Sequence, residues 1–227
     1  MIESVKIFFN QNIYERVISG ILFVIPFIFV LFEGGNYFVL FFVILLAIAI
    51  YEFNTTSKNK IKLPFRLFII MLIIISFFHF IFLRISYDDY IIEYLLHIIF
   101  SIWIFDSFSL IGGRLIGGRK LIPKISPNKT YSGFIVGFLS LLFFSFLLKI
   151  FFYQHNMIII FTLLIGLISF IGDTIESYFK RLLNIKDFSN LMPGHGGVID
   201  RMDAFILFFL LHFIFSVLIF NPIIFYG

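Results

Sequence analysis

The segment Lys186 to Asp203 reads KDFSNLMPGHGGVIDRMD and lies between two strongly apolar runs, MIIIFTLLIGLISFIG and AFILFFLLHFIFSVLIF. Glycines this dense let backbone amides approach a ligand closely, and a helix beginning just after them offers N–H groups to an anion. Gly196 and Gly197 are the candidates for that contact. Asp200 and Asp203 are spaced i, i+3 on the first turn of such a helix. They form a pair of hard oxygen ligands suited to Mg²⁺, although an acid at a helix start is also ordinary capping chemistry. Lys186, Arg201, Lys180 and Arg181 supply cations able to neutralise phosphate oxygens. His195 is either a phosphate donor, an acid/base, or a surface histidine in a turn. Metal ligands, an anion-binding turn and basic side chains together suit phosphoryl chemistry.

Just upstream, DTIESYFKRLL from Asp173 reads as a helix. Asp173, Ser177 and Lys180 then share one face, with Glu176 and Arg181 flanking it. The plainer alternative is a solvated helix laced with ion pairs. A second polar stretch, DSFSLIGGRLIGGRKLIPKISPNKTYSG, starts at Asp106. It lacks the Gly-Lys-Ser/Thr of a phosphate-binding loop, so Gly113 and Gly117 are expected to serve close helix packing. Ser126-Pro127 reads as a helix start that would place Lys129 and Thr130 in a first turn. His79, His97, His155, His212 and Trp103 are isolated and are read as packing or interface residues.

These polar residues must be positioned by elements that live in lipid. Of 227 residues, 61% are hydrophobic and only 13% are charged; 37 are phenylalanine, and mean hydropathy is +1.08. A soluble domain of this size cannot cover its surface with so few polar groups. Cysteine is absent, which excludes disulfides and thiolate metal sites. Seven apolar stretches are long enough to span, at about 17–33, 37–53, 65–83, 90–106, 131–149, 157–173 and 204–220. The first lacks a small-residue cleavage site and is read as a retained span. With the N-terminus inside, all of the 17 Lys and Arg residues except Arg84 and Lys149 fall on one side. The expectation is an all-α, polytopic membrane bundle with a cytoplasmic N-terminus. Residues 1–105 supply N-terminal spans, and 106–227 form a catalytic part with polar cytoplasmic segments at 106–130 and 173–203. Those segments are expected to be helices and re-entrant turns lining a wet cavity. A transporter would place its carboxylates at mid-depth, whereas here they cluster at one face.

The run SYFKRLLNIKDFSNLMPGHGGVIDRMD resembles the signature of the phosphatidate cytidylyltransferases, the CDP-diacylglycerol synthases. The matching positions are Ser177, Lys180-Arg181, Lys186-Asp187, Pro193 with His195-Gly196-Gly197, and Asp200-Arg201 with Asp203. ISPNKTYSG resembles the family's second block, with Ser132 where family members usually carry glutamate. The resemblance covers roughly residues 100–205. It implies a multi-pass protein of the inner (cytoplasmic) membrane whose site faces the cytoplasm. The implied reaction is Mg²⁺-dependent, with CTP and phosphatidic acid giving CDP-diacylglycerol and pyrophosphate. A second, monovalent cation and a homodimer are further implications, and no nucleic-acid partner is expected. By resemblance, Asp173 and Asp200 hold the metal, joined in the catalytic set by Lys180, Arg181, Asp187, Arg201 and Asp203. Ser126, Lys129, Ser177, Lys186, His195, Gly196 and Gly197 bind substrate. The alternatives are another CTP-dependent lipid enzyme, either a polyprenol or phytol kinase or an ether-lipid cytidylyltransferase, and an ion or phosphate transporter.

Overall fold

The computed structural model describes residues 12–87, 90–152, 156–192 and 196–219. Among them, the chain forms helices α1 (Asn12–Glu33), α2 (Gly35–Ser57), α3 (Leu63–Ser86) and α4 (Tyr90–Leu115). Strands β1 (Lys120–Ile122) and β2 (Ser126–Thr130) follow, then α5 (Tyr131–Phe151), α6 (Met157–Leu182) and α7 (Ile199–Ile219). Each expected span coincides with one of these helices, the last being described as far as Ile219. Six of them, α2 to α7, are long and apolar enough to cross a membrane; the apolar part of α1 described here is the shorter Ile18–Glu33. The helical state follows from the solvent: in lipid, every backbone polar group must be satisfied within its own segment. The protein is a multi-pass all-α membrane protein.

Two helices outrun their apolar spans, α6 as the helical reading from Asp173 expects and α4 beyond expectation. α4 continues past Asp106 to Leu115, and α6 continues past Asp173 to Leu182. No proline interrupts either one, and Gly112-Gly113 does not break α4, so both aspartates sit within helices rather than at their ends. The segment before α5 departs from expectation in a different way. Ser126-Pro127 does not start a helix: Ser126–Thr130 pairs antiparallel with β1, Ile122 opposite Ser126 and Lys120 opposite Thr130. Helix α5 begins only at Tyr131, where the Thr130 hydroxyl accepts from Gly133 N at 3.1 Å. A β-hairpin pairs most of the backbone that the helical reading would have left to solvent, and threonine is itself a good N-cap.

By packing, the chain forms two compact units, a division distinct in kind from the polarity-based one at residues 105/106. The first comprises the chain through Ser86 together with Leu183–Met202. Its core is a phenylalanine cluster. Phe42 lies 5.1 Å from Phe27, 4.7 Å from Phe38 and 4.7 Å from Phe80, ring centre to ring centre. Arg84 is buried here, donating through Nε to Leu31 O (2.9 Å) and through its terminal nitrogen to Phe32 O (3.2 Å). Those carbonyls belong to the last turn of α1, so the cation meets the negative end of a helix. One of the two exceptions to the charge asymmetry is therefore structural.

The second unit comprises Tyr87–Leu182 and the chain from Asp203 onward. Small residues bring its helices together. A side-chain carbon at Gly133 of α5 would lie 3.2 Å from Gly113 Cα of α4, so the partner of Gly113 is Gly133. Gly117 has φ +68 in the turn after α4, and its carbonyl accepts from Ser132 Oγ. Gly113 thus serves the packing expected of it, whereas Gly117 serves a turn. Buried polar pairs also join the helices: Tyr94 with His212 (2.6 Å) and His97 with Thr162 (2.8 Å).

Candidate active site

In the second unit, Asp173 and Glu176 of α6 and Asp203 of α7 converge. One carboxylate oxygen from each lies within 4.8 Å of the other two. Asp173 and Asp203 are half-buried and Glu176 is buried. Two lysines offset this concentration of negative charge. Lys129 Nζ lies 3.1 Å from Asp173 Oδ2 and donates to Thr174 Oγ1 at 2.7 Å, over the ring of Phe170. Lys180 Nζ lies 2.6 Å from Glu176 Oε1, one turn along α6, in the favourable order of acid before base. Ser177 donates to Asp173 Oδ1 at 3.3 Å. Three carboxylates against two ammonium groups leave a net negative cluster, with one cation paired to Asp173 and the other to Glu176.

Asp203 reaches α6 because of a glycine. A Cβ at Gly172 would stand 2.8 Å from Ala204 Cα and 3.1 Å from Asp203 O, so the two backbones touch where a side chain would otherwise separate them. Asp106 belongs to the same face of the unit, accepting from Ser169 Oγ at 2.8 Å, one turn before Asp173. Arg181 Nε donates to Ile125 O at 3.2 Å, which ties the hairpin loop to the end of α6. Lys129 projects from β2, and Ser126 lies half-buried at the start of that strand.

In the first unit, the glycine-rich turn is closed by paired hydrogen bonds between Met192 and Gly196, 2.9 and 3.0 Å long. Gly196 has φ +84, a conformation that favours glycine. The amides after the turn are not open to an incoming anion, because carboxylates of the chain already accept from them. Asp200 Oδ2 accepts from Gly197 N and Phe188 N, both at 2.8 Å. Glu52, on α2, accepts from Val198 N on Oε1 and from Ile199 N on Oε2, both at 3.0 Å. Asp200 reaches back to the amide before its own helix, as the acidic arm of a capping box does. Of the two acids expected to hold metal, Asp173 therefore lies in the carboxylate cluster and Asp200 carries the loop. Lys186, Asp187 and Arg201 are exposed, and His195 lies outside the described residues.

Three contributors escape the sequence reading. Glu176 reads from sequence only as a flanking residue, yet one of its carboxylate oxygens lies within 4.8 Å of oxygens of Asp173 and Asp203. Glu52 is the sole acid in the long apolar run of α2, and that isolation was the available signal. Gly172 directly precedes Asp173, but nothing in a single sequence distinguishes a contact glycine from any other in a membrane helix.

Comparison with known proteins identifies the family. The model of the cytidylyltransferase family matches residues 57–219. The phosphatidate cytidylyltransferase of Rickettsia typhi (strain ATCC VR-144 / Wilmington) is 36% identical over 207 residues, covering 87% of this chain and 89% of that protein. That of Rickettsia bellii (strain RML369-C) is 35% identical over 214 residues, covering 87% and 88%. That of Staphylococcus haemolyticus (strain JCSC1435) is 33% identical over 158 residues, covering 68% and 60%. The family match includes the helices that carry the carboxylate cluster, and the chain belongs to the cytidylyltransferase family.

Proposed function

We propose that this protein transfers the cytidylyl group of CTP to phosphatidic acid, forming CDP-diacylglycerol and releasing pyrophosphate. The observation that carries the reading is the convergence of Asp173, Glu176 and Asp203, flanked by Lys129 and Lys180, on membrane-spanning helices of a chain in this family. A phosphate oxygen of the lipid attacks the α-phosphorus of CTP, and the bond from that phosphorus to the bridging oxygen breaks. The nucleophile is already an anion, so the site needs no strong general base. What it must overcome is the repulsion between two polyanions, and it must hold them in line.

The donor set fits Mg²⁺. Oxygens around this ion stand about 3 Å apart when adjacent and about 4.2 Å when opposite, so carboxylates already within 4.8 Å close on it with small side-chain movements. Asp173, Glu176 and Asp203 would hold the ion, which when bound supplies neutralisation and polarisation of phosphate oxygens. Lys129 and Lys180 are placed to take further phosphate oxygens, and Ser177 orients Asp173. Arg181, in the same unit, supplies additional positive charge, and Lys186 and Arg201 join the substrate-binding set by resemblance alone. The one-sided distribution of Lys and Arg supports a site facing the cytoplasm and residence in the inner (cytoplasmic) membrane. The homodimer rests on the resemblance alone.

The test uses purified protein, Mg²⁺, phosphatidic acid and CTP labelled separately on the α and γ phosphorus. α-Label in the lipid with release of pyrophosphate is the expected result. γ-Label entering a supplied polyprenol would replace this reading with a kinase. No transfer of either label would remove the enzymatic reading.

A further inference from the structure

The first spans hold a residue that bears on the reaction. Glu52 lies on α2, before the stretch matched by the family model, and is 2% exposed. A carboxylate buried this deeply is costly unless it is fully hydrogen-bonded. Here it is: Oε1 accepts from Ser189 Oγ at 2.6 Å and from Val198 N at 3.0 Å, and Oε2 accepts from Ile199 N at 3.0 Å. The two amides open α7, so the charge also meets the positive end of that helix. Gly197 makes the approach possible, since a Cβ there would lie 2.5 Å from both carboxylate oxygens. Around this anchor, Phe188 packs on Phe53 with ring centres 6.3 Å apart, and Lys60 donates to Leu183 O. The end of α2 and its following loop therefore hold Leu183, Phe188, Ser189, Val198 and Ile199, and Glu52 is the acid among these contacts.

We propose that Glu52 is a positioning residue for the transfer reaction. It anchors Ser189, Val198 and Ile199 and fixes the start of α7, the helix that carries Arg201 and, one turn beyond Ile199, Asp203 of the carboxylate cluster. It does this without touching substrate. Together with Asp200, its carboxylate takes up the described amides that follow Gly196. The inference rests on the cytidylyltransferase reading above.

The test compares purified wild type, Glu52→Ala, Glu52→Gln and Ser189→Ala. Lipid labelling from α-labelled CTP gives kcat and KM, each corrected for the folded fraction; amide hydrogen exchange reports on 188–199. Glu52→Ala should lower kcat by about tenfold or more, the weight of several hydrogen bonds to a charged acceptor, with KM for CTP within about twofold. Glu52→Gln keeps one acceptor oxygen but turns an NH₂ toward a donor, and should fall between. Ser189→Ala deletes one donor from a half-buried position and should retain the fold; its kcat should fall by about threefold. Exchange in 188–199 should quicken in the same order. Faster exchange with kcat per folded molecule unchanged in Glu52→Gln and Ser189→Ala would overturn the positioning role. Unchanged exchange in those variants would overturn the anchor itself. If the wild type transfers no label, the functional reading fails, and exchange still decides whether the anchor exists.

Discussion

Replacing Gly172 by alanine tests how the carboxylate cluster is assembled. The new methyl carbon would meet Ala204 Cα at 2.8 Å, Asp203 O at 3.1 Å and Ala204 N at 3.2 Å. All three are backbone atoms, so no rotamer change relieves the contact. Ordinary carbon–carbon contact is about 3.5–4.0 Å, and α6 and α7 must part locally by about 1 Å. Asp203 moves with the backbone that is displaced, while Asp173 stays with the helix that displaces it. A shift of about 1 Å at a reacting centre costs about 10²-fold in rate, whereas overpacking costs about 1–3 kcal/mol of stability. The variant should therefore remain folded in detergent, lose about 10²-fold in lipid labelling from α-labelled CTP, and need more Mg²⁺ for half-maximal rate. Ile171→Ala, at the neighbouring exposed position, is the control and should behave as wild type. Gly172→Ala with a wild-type rate and Mg²⁺ requirement would show that the helix contact does not set the site.

Other perturbations separate chemistry from scaffold. Asp203→Asn and Glu176→Gln should each reduce turnover by about 10²-fold or more while leaving the unfolding temperature close to wild type, measured by labelling and thermal unfolding in the same detergent. Lys129→Met removes the partner of Asp173 and should fall by a similar factor, with excess CTP failing to restore the rate. Arg84→Ala should do the reverse: loss of the caps on Leu31 and Phe32 lowers the unfolding temperature, and kcat per folded molecule is unchanged. Thr130→Ala deletes the cap of α5 and should cost about 1 kcal/mol, read as a lower unfolding temperature.

The sequence carried the membrane architecture well because lipid leaves few choices: long apolar runs become helices, and their charged flanks mark the two sides. It carried part of the geometry of the signature segment too, since Asp173, Ser177 and Lys180 share a helix face at spacings fixed by the helix itself. What it lost were distances across the chain. Glu52 and Ile199 are far apart in sequence, and only the folded structure shows that one caps the other. Gly172 is one glycine among fifteen, and its meaning lies in the backbone opposite. The Ser126-Pro127 error has a local cause: the pair fits a helix start equally well as a strand, and pairing with Lys120–Ile122 decides between them. The amides after Gly196 were expected to greet a phosphate, but the chain answers them with two carboxylates of its own.

The central claim is that Asp173, Glu176 and Asp203 form a divalent-cation site that serves nucleotide transfer. Its most direct test is electron paramagnetic resonance of Mn²⁺ titrated into the purified protein, with Mg²⁺ as competitor, in wild type and in Glu176→Gln and Asp203→Asn. The account expects saturable Mn²⁺ binding that Mg²⁺ displaces and that either substitution weakens strongly. Undiminished binding in both variants would place the cation elsewhere and contradict it.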